Sequence, residues 1–403
     1  MGCKQSNAGD SGDVFSIKTE KMRIEKPSKI LLIGDSRIKI ATALWLKKNC
    51  EVEVYVGTSE EYSPRNLPLR NMGIPLLSVS LKEGNSVVES LRTTEADVVY
   101  ICTPSDIERT TMTISALAAC KRSGVGHVVL LSSTVVGHSA PSIFGDQCKP
   151  IESYVKSSGL SYTIVRVPIL LDNYLSQLDC MIEFGIFFRP LPKNCKRNSI
   201  AVADVGEASA KILMNPANYA DKTINLNGCL CCDAMAADAF TKALGSDVLY
   251  EQIPFDDYRS TLLAANMPLY QVNGLLELFN FYEKGYKFSN ASTKELEAIL
   301  SRPPTDIYTL AETAMELRKL GQENNTQSNL RINRALVTSQ DKKTFPPGII
   351  GMLSVYSKKV NADQTNVTFL MGEKLCVVLD GVFTLVTVVA PSLDGIRLIT
   401  SLS

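Results

Sequence analysis

A chain of 403 residues with 45% hydrophobic content can bury a substantial core, as one large domain or two moderate ones. Basic and acidic side chains balance at 42 each, which removes the electrostatic case for nucleic acid as a partner. Eleven cysteines without regular spacing, no secretory hydrophobic stretch near the start and no run of about 20 apolar residues fit a reducing, cytoplasmic setting with free thiols and no spanning helix.

The chain opens on a polar leader, residues 1–28. Met1-Gly2-Cys3-Lys4-Gln5-Ser6 fits the acylation pattern in which Gly2 becomes terminal after methionine removal and Ser6 supplies the favoured small hydroxyl. A single myristoyl chain contributes about 0.8 kcal/mol per buried methylene and holds a protein only marginally, so a second anchor matters. Cys3, placed for palmitoylation, and the basic residues Lys18, Lys21, Arg23, Lys26 and Lys29 would supply it. The expectation is a lipid anchor on the cytoplasmic face of a membrane; the alternative is a chance match in a disordered tail.

Residues 29–61, KILLIGDSRIKIATALWLKKNCEVEVYVGTSEE, read as a strand, a tight turn, a helix and a second strand. That is the opening of a dinucleotide-binding unit with most of its glycines missing. In a G-x-x-G-x-x-G turn the first glycine bends the chain, the second lets backbone approach a pyrophosphate and the third lets helix pack on strand. Those positions hold Gly34, Arg37 and Ile40, with Ser36 beside them. Arg37 either fills the phosphate site or turns its guanidinium onto the phosphates. On the helix, Ala41, Leu44, Trp45 and the aliphatic stem of Lys48 share a face at 3.6-residue spacing, which makes Trp45 a core residue.

Apolar runs suited to buried parallel strands recur at 29–33, 52–56, 76–79, 97–103, 127–132 and 162–167, with helix-length stretches between most of them. Such alternation predicts an α/β protein built on a Rossmann-type, doubly wound parallel sheet.

The stretches ADVVYICTPSDIERTTMTISALAACKRSGVGHVVLLSS at 96–133 and CKPIESYVKSSGLSYTIVRVPILLDNYL at 148–175 carry a more particular likeness, joined by IAVADVGEASAKIL at 200–213 and TINLNG at 223–228. Together they resemble the NmrA-like family of atypical short-chain dehydrogenases over about residues 29–320. The resemblance implies NAD or NADP across the strand ends and a smaller, mostly helical substrate lobe. Family members include NADPH-dependent reductases of quinones and dyes, and also proteins that bind dinucleotide without turning it over. Thr103 and Pro104 match the family's Thr-Pro beside the cofactor, and Ser132 and Ser133 its Ser-Ser. Serines also end strands and cap the turn or helix that comes next, so that explanation stays open for both. Lys149 matches the family lysine that contacts the nicotinamide ribose or supplies a proton, and Asp172-Asn173 the acidic-Asn pair of the substrate cleft. A surface lysine and a helix cap are the alternatives.

The departures matter as much. A short-chain dehydrogenase pairs Tyr with Lys four residues on, because the ammonium lowers the phenol's pKa. None of the 14 tyrosines has Lys at that distance, and Gly145 stands four before Lys149. The second strand ends in Gly57-Thr58-Ser59, without the family's arginine for a 2′-phosphate, and Glu60 and Glu61 come late for an acidic ribose reader.

Cys229, Cys231 and Cys232 lack a second ligand pair, and two histidines, His127 and His138, support neither a metal site nor a triad. No metal is expected. Asp204 and Asp233 read as helix caps. Phe184, Phe187, Phe188, Phe279, Phe281, Tyr282 and Tyr286 either line a pocket for a flat ring or form ordinary core. Residues 321–345 read as a polar linker and 346–403 as an uncertain β-rich tail, with a hairpin about Asp380-Gly381.

Two function classes emerge. One is a membrane-tethered, dinucleotide-binding or redox-sensing regulator, or a scaffold that has lost the cofactor and binds a protein partner. The other is an NADPH-dependent reductase of a small apolar carbonyl or quinone-like substrate. Arg37, Ile40 and Gly57 favour the first; Thr103-Pro104, Ser132-Ser133 and Lys149 keep the second open.

Overall fold

The computed structural model describes residues 24–137, 142–285 and 292–328, with side chains to 319, and the backbone of four strands beyond. The leader with Gly2 and Cys3, His138, Tyr286 and the Asp380-Gly381 turn lie outside the described residues.

The first half alternates strands and helices: β1 (Lys29–Ile33), α1 (Arg37–Asn49), β2 (Glu53–Thr58), α2 (Leu67–Asn71), β3 (Leu76–Ser78), α3 (Gly84–Thr94), β4 (Val98–Cys102), α4 (Arg109–Arg122), β5 (His127–Ser133), α5 (Ile143–Ser157) and β6 (Tyr162–Val167). The second half is β7 (Ile169–Leu170), α6 (Leu178–Phe184), β8 (Ile186–Arg189), β9 (Arg197–Ile200), α7 (Val202–Leu213), α8 (Pro216–Tyr219), β10 (Lys222–Asn225), β11 (Cys229–Cys231), α9 (Asp233–Leu244), β12 (Leu249–Gln252), α10 (Phe255–Ala264), α11 (Leu269–Glu283), α12 (Lys294–Leu300) and α13 (Ile307–Ser328). The last helix continues through 321–328, residues whose polar composition reads as linker.

Seven strands form one parallel sheet in the order β10-β6-β5-β4-β1-β2-β3. Its strands are buried on both faces, as continuous apolar runs require. The chain leaves β1 toward β2 and β3, then returns to place β4 on the opposite side of β1. The β1/β4 boundary is therefore the topological switch point, where an open α/β sheet leaves a crevice at its carboxyl ends.

One face of the sheet is covered by α1 and α7, the other by α3, α4 and α5. The buried residues of α1 are Ile38, Lys39, Thr42, Ala43 and Leu46, which corrects the expected core face. Ala41 packs on α7 so closely that a Cβ on Gly206 would lie 2.7 Å from the Ala41 Cβ. Trp45 is only half-buried, with the Lys211 ammonium 5.8 Å from its ring centroid, and Lys48 points to solvent. The helix thus has two packed stripes, one for the sheet and one for α7.

The smaller lobe holds two further clusters, one around Phe187 and Phe240 and one around Phe188 and Phe279. It is tied to the sheet domain through α5, where Glu277 of α11 accepts from the Ile143 amide at 2.7 Å. Beyond α13, β13 (Lys343–Thr344), β14 (Lys374–Leu379), β15 (Val382–Ser392) and β16 (Gly395–Thr400) pair antiparallel in the order β13-β16-β15-β14. Leu379 pairs with Val382, the register a two-residue turn sets.

Candidate functional site

The turn after β1 carries the chemistry expected of a phosphate site, in altered form. Gly34 sits at φ +98, and a Cβ there would lie 2.1 Å from the Cys102 carbonyl oxygen of β4. Only glycine fits both the backbone angle and that approach. Ser36 caps α1, its hydroxyl accepting from the Ile38 amide at 3.1 Å, and no acidic residue lies in the helix's first turn. A helix N-terminus with these features favours an anion.

Arg37, in place of the second glycine, reaches over the crevice. Its Nη2 donates to Asn173 Oδ1 at 2.8 Å, joining residues 136 apart in the chain. The side chain is exposed, and its partner is a neutral amide. Asp35 turns the other way: its carboxylate accepts from Thr58 Oγ1 at 2.9 Å and Ser59 Oγ at 2.6 Å, at the end of β2. Beneath it the buried Lys39 ammonium donates to the Gly57 carbonyl at 2.9 Å and lies 3.7 Å from Asp35. Burial lowers the Lys39 pKa, with Asp35 partly offsetting this. Arg37 is thus the cation that faces the crevice mouth, while the Asp35 charge is balanced from below. An acid does reach the end of β2, but from the glycine turn and not from the position about 20 residues on where sequence reasoning looks for it.

The remaining sequence-derived residues divide. Thr103 is half-buried at the end of β4, its hydroxyl bonded to the Leu131 carbonyl at 3.2 Å, and Pro104 comes next beside it. Ser132 is buried and donates to the buried Glu152 at 2.7 Å, and Glu152 also holds Arg166 at 2.9 and 2.5 Å. Ser133 accepts from the Val135 amide at 3.4 Å, opening a 3-10 turn. Lys149 lies inside α5 and is partly exposed, with Asp146 at 3.8 Å. Asp172 accepts from the Val202 amide at 2.7 Å and so caps α7. Asn173 alone of that pair opens onto the crevice and the cavity behind it.

That cavity, about 250 Å³, lies in the smaller lobe, lined by Ile169, Asn173, Arg189, Tyr258, Leu262 and Phe279 among others. Of the aromatic residues suggested for a pocket, Phe279 lines it; Phe187, Phe188 and Tyr282 are core. The polar feature sequence reasoning missed is behind its wall. Asp233, read as a cap, is fully buried in the first turn of α9 and binds Arg197 at 2.8 and 3.1 Å and the Tyr174 hydroxyl at 2.8 Å. Burial opposes the Arg197 charge, yet Tyr174 and Asp233 hold its pKa well above the ordinary value. Asp204 is likewise no cap for its own helix: it accepts from Arg302 and from the Thr305 amide and hydroxyl, binding the start of α13 to α7.

The thiols are quiet. Burial pushes Cys102 and Cys229 up to about 12 and Cys231 to about 11. All nine cysteines among the described residues are free, and no cluster of three or more metal-ligating side chains occurs among them. His127 is buried, its ring nitrogens at 2.8 Å from the Ser161 hydroxyl and 2.9 Å from that of Thr163. No helix among the described residues is long and apolar enough to cross a membrane.

The comparison with known proteins agrees with this geometry. The NmrA-like family profile matches residues 33–316. The chain is 23% identical over 212 residues to an NAD(P)H azoreductase of Xenophilus azovorans, covering 52% of this chain and 73% of that one. It is 25% identical over 205 residues to quinone oxidoreductase 2 of Escherichia coli (strain K12), covering 50% and 68%. The crystal structure of NmrA, a negative transcriptional regulator, in complex with NADP superposes with a TM-score of 0.58 at 16% identity, covering 74% of this chain and 98% of that one, which speaks to fold alone. With a switch-point crevice, a family turn still anchored by Gly34 and a match over most of its length, this chain belongs to the NmrA-like family.

Proposed function

We propose that this protein is a dinucleotide-responsive regulator, in which the pyrophosphate of NAD(H) takes Arg37 from Asn173. The carrying observation is the Arg37–Asn173 bridge across the crevice. An exposed bond from a guanidinium to a neutral amide is worth little, whereas a bidentate guanidinium-phosphate pair is among the strong hydrogen bonds. Binding therefore exchanges a weak partner for a strong one, and in doing so frees Asn173 between the sheet domain and the smaller lobe. Gly34 and the α1 N-terminus fit the phosphates, Thr103 and Pro104 border the crevice, and the cofactor when bound supplies a hydride donor or acceptor.

The residues at hand support sensing over turnover. Ser132 and Asp172 are used by buried structure, Ser133 by a turn, and Gly145 stands where a tyrosine four residues before Lys149 would be. Asp35 supports NADH over NADPH, because its carboxylate at the end of β2 would face a 2′-phosphate dianion but accepts readily from a ribose hydroxyl. Asp35→Ala is expected to narrow the preference for NADH by about tenfold in binding titrations, since one charge-assisted hydrogen bond is lost and one repulsion relieved. An unchanged ratio would sink the assignment of Asp35 as the ribose reader.

A reductase is the second reading, favoured by the two enzyme relatives and by the cavity beyond Asn173. In it Lys149 would hold the nicotinamide end, and quinone-dependent oxidation of NADH or NADPH by the purified protein, lost in Lys149→Ala, would establish it. We further propose that Gly2 and Cys3 carry lipid that holds the protein on a membrane surface. Gly2→Ala should move it to the soluble fraction of cells, and an unchanged membrane fraction would end the idea.

A further inference from the structure

We infer that the cavity of the smaller lobe is a binding site for a small planar organic anion, an aromatic carboxylate, recognised by Arg189. The inference goes beyond dinucleotide binding and does not require it.

Two guanidiniums and one carboxylate lie together out of contact with solvent. Arg189 is 4% exposed, Arg197 3% and Asp233 0%, and Asp233 is the carboxylate within ion-pair distance of either guanidinium among the described residues. Two buried cations thus share one buried anion. Arg197 takes both carboxylate oxygens, at 2.8 and 3.1 Å. Arg189 receives what is left: its Nε stands 3.4 Å from Asp233 without forming a hydrogen bond, and its Nη2 reaches only the Asn173 carbonyl, at 3.3 Å. Buried charges are normally paired, and a half-paired guanidinium nine-tenths out of water is costly to keep for structure alone.

Arg189 is also the charged member of the cavity wall. The rest of the wall sets the apolar and aromatic Ile169, Leu262, Met267, Leu275, Tyr258 and Phe279 beside the neutral polar Asn173, Ser176, Gln177 and Thr261. The guanidinium lies over the Tyr174 ring, 4.4 Å from its centroid, which fixes its plane. At about 250 Å³ the space is below the range of drug-sized ligands, so it suits one ring bearing one small group. A carboxylate on that ring would supply the missing second anion, with the ring against the apolar walls. Sequence reasoning left the aromatics open between a pocket for a flat ring and ordinary core, and it missed the cation.

The test is calorimetric titration of the full-length protein, without dinucleotide, with benzoate and with its neutral isostere benzamide. Benzoate should bind at least about tenfold more tightly, the difference a charge-assisted pair with a buried guanidinium makes. Arg189→Gln should abolish the difference. Because that variant disturbs the Asp233 cluster, Ala265→Phe serves beside it: it fills the cavity wall, leaves the cluster intact and should remove benzoate binding. Equal affinity for the two compounds, absence of benzoate binding by the wild-type protein, or benzoate binding that survives Ala265→Phe would each overturn the inference. Since no cofactor is present, failure of the protein to bind NADH leaves this result interpretable.

Discussion

Asp233→Ala is expected to destabilise the protein by about 3–5 kcal/mol, the cost of leaving a buried ion cluster without one of its partners. The carboxylate is fully buried, and it is the counter-charge for Arg189 and Arg197 and the acceptor for Tyr174. Its removal leaves two guanidiniums confined between β8, β9 and α9 with no anion. Urea denaturation monitored by circular dichroism would read this as a large drop in midpoint, in the smaller lobe first. Asp238→Ala is the control: that residue sits on the same helix, paired with Lys242 at the surface, where screening makes the pair worth little. Equal midpoints for the two variants would mean that the cluster around Asp233 is not the keystone of the lobe.

The second large effect concerns Arg37. Arg37→Ala is expected to weaken dinucleotide binding by at least about tenfold, because the pyrophosphate loses its bidentate cation in a site whose bare-backbone glycine is already gone. The stability of the free protein should barely move, since the bond lost is an exposed one to an amide. If Arg37 instead blocks the phosphates, the same variant binds more tightly. The two outcomes have opposite signs, so a single titration of the variant separates gripping from obstruction.

How much of this was legible in the sequence differs between fold and site. The strands at 29–33 and 162–167 have the same bounds in sequence and structure, because an uninterrupted apolar run buried on both faces leaves little choice of conformation. The α1 face was harder. Its buried residues include Lys39 and Thr42, whose polar groups bond to backbone, so hydrophobic periodicity alone picked the stripe facing α7.

In the site, the loss of glycine at Arg37 was legible from spacing, and Asn173 from family likeness. Their meeting was not, since nothing local encodes a contact across 136 residues. Asp233 and Asp204 carry the sequence signature of caps, because an acid at a helix start looks the same in sequence whether it binds amides or distant arginines. A signal existed for Asp233 and for Glu152. Arg189 ends the apolar run of β8, Arg197 opens β9, and Glu152 stands on the apolar face of α5 with Cys148, Ile151 and Val155. A charged residue on a face that must be buried calls for a partner, and here Glu152 accepts from Ser132 and from Arg166.

The central claim is that Arg37 is the cation by which this NmrA-like crevice takes up a dinucleotide. The most direct measurement is titration of the wild-type protein and Arg37→Ala with NADH, following nicotinamide fluorescence and thermal stability together, since a ligand that binds only the native state must raise apparent stability. The expected result is a saturable response in the wild-type protein that is weakened in the variant. No response in the wild-type protein, or tighter binding by the variant, would contradict it.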